Sequence, residues 1–483
     1  MGEAGMTVDT DHLSGLTHAI AEFSAGMTFD RLDADNIRLA RRCLLDGLGV
    51  SLAGSQQPGM EPLMSYIRSA GGTGQARLLG SSGPGLPAPA AALWMGTAGH
   101  AMDWDDTQLA EGPGRPYGLL MHPTMPPLTG ALMTAELIRG ETGTPVDGRR
   151  FLTAFATGFE ACCKIAEAII PDHYMRGFHT SGTIGTFGAA VAAANLLGLD
   201  TARTATAIGI AASSASGIRA NFGSMTKPLH VGRAGQNGIV AALLARAGFS
   251  ANDEALDGRW GYLAIAGPGG DPANVRDRIG APFTMVTPGV SIKPYPSGVL
   301  THPSMDALRF LMAESGLTPD MIESVELAAG SNVLGPIRFQ RAMTELQGKF
   351  SFQFLLAAIV LRGKAGKAEF TDAFVSSSEC QDMQGRITTR FDPEVEAMGW
   401  DKIRSRLTVR TRDGRVIERW ADERYRGGPD HPLTDSELEE KVRDCAEGLL
   451  DDARLAALFE HVWAAETLSD VGVLLDDLVW MDR

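Results

Sequence analysis

From Thr201 through Asn252 the chain carries no Asp or Glu, although the protein as a whole holds 58 acidic residues against 43 Lys and Arg. So long a stretch without a carboxylate has two ready explanations. It is either a buried, small-residue helical region where carboxylates are avoided, or a local basic patch that collects an anion. The window contains Arg203, Arg219, Lys227, His230, Arg233 and Arg246. Cations gathered in a protein of formal net charge -15 are what the second explanation, a place for a negatively charged ligand, requires. Arg233 and Arg246 fit a packing or dimer surface as readily, by helical spacing.

The rest of the first half shares the small-residue helical character. Residues 15–53 read as two helices, the second capped by Asp35 and carrying Ile37, Ala40, Leu44 and Leu48 at helical spacing. Further helices are expected at Ala88 to Gly99, Thr129 to Arg139 and Gly148 to Ile170, and then on to about Phe249. Gly182, Gly185 and Gly188 stand in the wrong order for a dinucleotide fingerprint and fit close helix packing.

After about Gly289 the pattern changes. Val290 to Tyr295 and Ile322 to Ala328 read as strands, and Arg406 to Trp420 as a hairpin turning at Asp413-Gly414 in a type I′ turn. Helices at His302 to Ser315 and Phe352 to Arg362 lie between them. Beyond Gly427-Gly428-Pro429 the chain turns helical again, with Thr434 and Glu437 set for a capping box. The expected fold is mainly α with an α+β lid. Residues 1–288 and 429–483 would build a large all-helical domain from both ends of the chain, and 289–428 a smaller inserted α+β domain.

Composition narrows the function classes. Five cysteines lack metal-ligand or iron–sulfur spacing and point to reduced thiols. Net negative charge and 7% aromatic residues argue against nucleic-acid binding. The acidic N-terminus does not read as a signal peptide, and the most apolar run, Gly185 to Leu199, is too short to span a bilayer. A cytoplasmic enzyme or small-molecule binder is expected.

Four histidines, His122, His179, His230 and His302, each stand beside Pro, Gly or Thr in irregular stretches. Any one of them alone fits a bonded structural histidine. Together with Asp103 and Lys227 they make a set able to move a proton near neutral pH and hold a carboxylate. Asp103-Trp104-Asp105-Asp106 fits a solvated acidic turn, a Mg²⁺ site or an acid motif of terpene-cyclase type. The third fails on the scarcity of aromatics, and the second lacks an opposing carboxylate-rich segment, so no metal is expected.

These residues are recognisable in combination. Leu44-Leu45-Asp46-Gly47-Leu48-Gly49, Gly96 through Thr107, His122-Pro123-Thr124 and Gly177-Phe178-His179 occur in order. Gly185-Thr186-Phe187-Gly188, Met225 through His230, Lys293-Pro294-Tyr295-Pro296, His302-Pro303 and Phe350-Ser351-Phe352-Gln353 follow. The chain resembles the MmgE/PrpD family, which includes 2-methylcitrate dehydratases, cis-aconitate decarboxylases and iminodisuccinate epimerases.

The resemblance implies a homodimer, a site between a helical domain and a lid, and no metal or organic cofactor. It aligns Asp103, Thr107, His122, His179, Lys227 and His302 with the family's active-site positions. Two departures stand out. Gln108 replaces a histidine common after Asp-Asp-Thr, within a longer loop carrying Arg115 and Tyr117. Phe354 stands where the decarboxylase branch has a tyrosine.

The expected activity is that of a cofactor-independent lyase or isomerase working on a small di- or tricarboxylate at the carbon next to a carboxylate. Dehydration of 2-methylcitrate or a similar hydroxy acid leads, with cis-aconitate decarboxylation or epimerisation as alternatives and a non-catalytic carboxylate binder as a remote one. Lys227 is expected to anchor the substrate, aided by Lys293 or Arg219, with Thr107, His230 and Tyr295 also contacting it. His122, ordered by Asp103, is the expected acid or base, with His179 or His302 opposite.

Overall fold

The computed structural model describes residues 15–480 apart from 84, 109–118, 400–402 and 422–424. The loop bearing Arg115 and Tyr117 therefore lies outside the described residues. Numbering the helices of ten residues or more, the first are α1 (Leu16–Gly26), α2 (Ala34–Gly54), α3 (Met60–Ala70), α4 (Ala88–Ala101), α5 (Met125–Thr142) and α6 (Gly148–Ile169). There follow α7 (Thr180–Leu196), α8 (Thr201–Ser214), α9 (Thr226–Arg246), α10 (His302–Ser315), α11 (Phe352–Arg362), α12 (Asp435–Ala446) and α13 (Asp452–Trp463).

The sequence placed most of these helices but not α3, and not always their ends. Asp33, not Asp35, caps α2 by accepting from the Asn36 amide at 2.8 Å. Asp35 instead sits in the first turn, where its charge complements the exposed amides. Helix α5 starts at Met125 because Pro126 and Pro127 occupy its first turn, a position where a missing N–H costs nothing.

At the centre of the helical domain, α9 packs against α4 and α7, and α7 against α5 and α6. Small residues permit this closeness. A Cβ on Gly96 of α4 would lie 2.9 Å from the Cα of Gly232 on α9, and one on Gly232 only 2.2 Å from Thr97 Oγ1. This crossing leaves the C-terminal end of α4 beside the N-terminal end of α9, which is how Asp103 comes to face Lys227. A Cβ on Gly182, Gly185 or Gly188 would lie 2.7, 2.5 or 2.8 Å from His230, Pro126 or Cys162, so these glycines have the close-packing role read from their spacing.

The lid contains a mixed sheet in the order β2-β1-β3-β4, made of β1 (Ile322–Ala329), β2 (Ile387–Phe391), β3 (Ser405–Thr411) and β4 (Val416–Ala421). β2 runs parallel to β1 and the other pairs are antiparallel, with Val325 opposite Val409 and Leu327 opposite Leu407. Helices α10 and α11 pack together, α10 also against β3 and β4 and α11 against β2.

The structure corrects two expectations and adds one strand. Residues 290–295 form no strand; Ser291 makes only an isolated bridge to Thr107. Strand β2 escaped notice because it lies at a sheet edge and buries only Ile387, leaving no hydrophobic alternation to read. In the β3–β4 turn only Gly414 takes a positive φ, at 86°. A type I′ turn needs that conformation at both central residues, so the turn is of another kind.

The chain thus forms a large helical domain from both its terminal segments, with a smaller α+β domain inserted. The C-terminal helices α12 and α13 return to pack on α2, and Thr434 and Glu437 form the capping box at the start of α12. Among the described residues no helix is long and apolar enough to cross a membrane.

Candidate active site

Helix α4 ends at Ala101, and two residues later Asp103 adopts φ 54°, a left-handed conformation that Asp tolerates better than most residues. This bend aims the carboxylate at two lysines. Lys227, in the first turn of α9, and Lys293, from the segment entering the lid, both place Nζ 2.8 Å from Asp103 Oδ1. Lys293 also donates to the Asp103 carbonyl at 2.8 Å. The Lys227 ammonium lies 5.2 Å and 5.4 Å from the ring centres of Phe222 and Phe350, so aromatic faces supply part of its solvation.

The acidic turn is not solvated; Asp103, Asp105 and Asp106 are all buried. Burial would raise the Asp103 pKa, but Lys227 and Lys293 overcome it and hold the carboxyl well below its ordinary range. Burial acts on Asp105 in the same sense and is overcome by His100 and His122. Burial and the neighbouring Asp105 push Asp106 well above the usual range. Its carboxyl oxygens accept from the Thr124 hydroxyl at 2.8 Å and amide at 3.3 Å.

His122 follows a bend at Leu120, and its amide donates to Ser181 Oγ at 2.9 Å. Its Nδ1 lies 2.7 Å from the Asp106 carbonyl. A carbonyl can only accept, so Nδ1 carries the proton and Nε2 is left open to the cavity, 3.8 Å from Asp103 Oδ1. His100 lies behind it, with ring centres 4.5 Å apart and Nδ1 2.9 Å from Asp105. Burial lowers the His100 pKa to about 3.

His179, at the entry to α7, pairs its Nδ1 with His230 Nδ1 at 3.0 Å, while its Nε2 has no hydrogen-bond partner among the described residues. Burial, His100 and Lys227 keep its pKa well below the ordinary value, so the ring is neutral at pH 7. His100, Asp103, Asp105 and His122 lie close enough to surround a metal ion, with candidate ligand atoms within 4.8 Å of one another. The two ammonium groups already on Asp103 repel a cation there.

These groups open on a cavity of about 90 Å³ between the two domains. Of the residues singled out in the sequence, Asp103, Thr107, His122, His179, Lys227 and Lys293 line it together. The others stand behind. His230 supports His179, and Arg219 lies on the Tyr174 ring at 3.7 Å while donating to the Tyr174 carbonyl at 2.9 Å. His302 is fully buried, with Nε2 3.3 Å from the Ser297 carbonyl and its ring 5.4 Å from that of Tyr295. Tyr295 turns its hydroxyl to Asp306 at 2.6 Å.

Neither His302 nor Tyr295 reaches the cavity, because the 297–301 turn, with Gly298, Val299 and Leu300, forms the wall in front of them. Gln108 is also structural, bonding through its side chain to the Gly289 carbonyl. Phe354 packs against Phe370 and Phe374 inside the lid, so it is Phe350 that presents the aromatic face to the site.

Tyr174, Phe222 and the apolar wall of Leu120, Pro336 and Ile337 were not foreseen. His100 and Asp105 were visible inside the quoted motif, but nothing in the sequence separated their supporting positions from those facing the cavity. Tyr174 stands in a short helical turn without any signal of its own.

Comparison with known proteins places the sequence in a family. The MmgE/PrpD N-terminal domain profile matches residues 18–274, and the C-terminal domain profile matches residues 295–465. A cis-aconitate decarboxylase of Homo sapiens is 26% identical over 471 residues, covering 96% of this chain and 94% of that protein. One from Aspergillus terreus is 24% identical over 490 residues, covering 97% of each. The cis-aconitate decarboxylase-like protein oryM of Aspergillus oryzae is 26% identical over 465 residues, covering 92% and 93%. With both domain profiles matched in order over most of its length, this chain belongs to the MmgE/PrpD family.

Proposed function

We propose that the protein is a lyase that decarboxylates cis-aconitate or a closely related unsaturated tricarboxylate, by proton transfer at a carbon next to a carboxylate. The observation that carries this reading is the fixed orientation of His122. Its Nδ1 is committed to the Asp106 carbonyl and its Nε2 faces the cavity beside Asp103, Lys227 and Lys293. The curated relatives favour decarboxylation over the dehydration that the sequence placed first.

In this reading Lys227 and Lys293 hold the substrate carboxylate on which negative charge develops. Release of carbon dioxide breaks a carbon–carbon bond; its electron pair forms a new double bond to the adjacent alkene carbon, and the original π pair moves onto the far alkene carbon, which lies next to the carboxylate held by the lysines. Because Nδ1 keeps its proton on the Asp106 carbonyl, His122 acts here as the doubly protonated imidazolium, charged at Nε2 from solvent, and delivers the Nε2 proton to the carbon adjacent to the carboxylate held by the lysines. The His179 Nε2, neutral and unpartnered, hydrogen-bonds a second carboxylate.

Purified protein would be incubated in deuterated water with cis-aconitate, 2-methylcitrate and citrate, and products read by mass and by deuterium content. Loss of carbon dioxide with one deuterium gained next to a carboxylate is the expected result. Loss of water from 2-methylcitrate, with cis-aconitate untouched, would return the assignment to a dehydratase. No turnover of any acid would leave a carboxylate-binding protein.

A further inference from the structure

Four buried lysines converge on residues 101–104 from four separate parts of the chain. Lys227 and Lys293 hold the Asp103 carboxylate as described. Lys349, in the lid, donates to the Ala101 carbonyl at 2.9 Å and to Gln57 Oε1 at 3.0 Å, with Glu345 at 3.5 Å. Lys441, on α12, donates to the Trp104 carbonyl at 2.8 Å and pairs with Asp46. Lys349 and Lys441 are 2% and 6% exposed, and neither lines the cavity.

Burying an ammonium group costs several kcal/mol, and an apolar side chain of similar volume is often as stabilising. Packing alone therefore does not account for lysine at these two positions. The carbonyls they meet do. Ala101 closes α4, where the last carbonyls lack helical partners and carry the negative end of the helix dipole. Between the Ala101 and Trp104 carbonyls lies Asp103 at φ 54°, a conformation that persists for a non-glycine residue only when its surroundings over-determine it. Ammonium groups on the carbonyls of residues 101, 103 and 104 over-determine it from three sides.

We infer that Lys349 and Lys441 are positioning residues that fix the main chain of the Asp103 turn, so that its carboxylate sits between Lys227 and Lys293 and beside His122. The inference rests on the reading of Asp103 and His122 as part of the reacting centre. It also ties activity to architecture. Lys349 belongs to the lid and Lys441 to the returning C-terminal helix, so the turn is complete only when both are docked.

The test uses the full-length protein with Lys349→Met, Lys441→Met and the paired change Asp46→Asn/Lys441→Gln, which removes both buried charges together and guards against simple unfolding. At a temperature well below each variant's Tm, kcat per folded enzyme is expected to fall about 10–100-fold while KM changes little, the usual cost of losing a group that orients a reacting one. The pH–rate profile should shift as well, because Asp103 moves relative to His122. Crystal structures of the variants should show residue 103 relaxed from its left-handed φ and the Lys227–Asp103 contact lengthened.

Unchanged kcat with an unchanged turn would overturn the inference. So would a loss of activity that is fully accounted for by a lower folded fraction. If the wild-type protein turns over none of the acids, the functional reading fails separately, and the conformation of residue 103 in the variants decides this proposal alone.

Discussion

Lys293 grips Asp103 twice, donating at 2.8 Å to the side-chain Oδ1 and at 2.8 Å to the main-chain carbonyl of the same residue. One ammonium thus fixes both the charge of the carboxylate and the turn that aims it. Because Lys293 lies where the chain enters the lid, the same contact joins the two domains at the floor of the cavity.

Asp103→Asn separates the charge from the conformation, since Asn also tolerates left-handed backbone. It leaves Lys227 and Lys293 buried without their shared counter-ion. The variant is expected to lose about 3–5 kcal/mol of stability, the usual cost of breaking a buried ion pair from one side. Urea unfolding of the two proteins measures this, and a change below about 1 kcal/mol, the scale of an exposed pair, would contradict the buried pairing.

Lys227→Ala removes the ammonium from the cavity while leaving Asp103 paired with Lys293. Loss of kcat/KM by about 10²–10³-fold is expected, the scale seen when a group facing developing negative charge is removed. Circular dichroism should show a folded protein. Near-normal turnover would sink the anchoring role.

His122→Gln can preserve a donor toward the Asp106 carbonyl but has no atom able to carry a proton to the substrate. The chemical step should slow by about 10²–10⁴-fold, and deuterium incorporation from solvent should fall in proportion. Exchange persisting at the wild-type rate would move the proton-transfer role to another group.

Arg219→Ala tests a contact made behind the cavity wall. Arg219 lies across Tyr174 and holds its carbonyl, and Tyr174 in turn lines the cavity. The effects of Arg219→Ala and Tyr174→Ala on KM should be non-additive, coupled by about 0.5–3 kcal/mol as for residues in contact. Additive effects would show that Arg219 acts independently of Tyr174.

His173 provides a pH test outside the cavity. It is fully buried between the Ala266 carbonyl at 3.0 Å and Thr183 Oγ1 at 2.8 Å, and burial lowers its pKa from 6.5 to about 4. Between these values the unfolded chain binds a proton that the folded protein does not, so stability falls as pH drops from about 6.5 toward 4. The full effect is about 3 kcal/mol. His173→Gln should flatten the dependence of the unfolding free energy on pH across that interval, whatever it does to stability at pH 7. An unchanged slope would show that His173 takes up its proton in the folded state.

What the sequence determined by itself was local or periodic. Helical spacing placed α2, α4 and α6, the Thr434–Glu437 pair placed the start of α12, and the order of motifs identified the family resemblance. In the carboxylate-free stretch α9 buries small residues against α4 and α7, as the packing explanation has it, and its first turn also carries Lys227 to the cavity. The sequence could not separate residues facing the cavity from those one layer behind, because both kinds occupy similar loop positions. His122 and His302 each precede a proline, yet the 297–301 turn screens His302 while the turn at Leu120 opens His122. Nor could spacing along the chain bring Lys349 and Lys441 to the end of α4. Those contacts exist because the lid and the C-terminal helix dock there, burying lysines whose charge only the carbonyls and carboxylates of the Asp103 turn and its neighbours can balance.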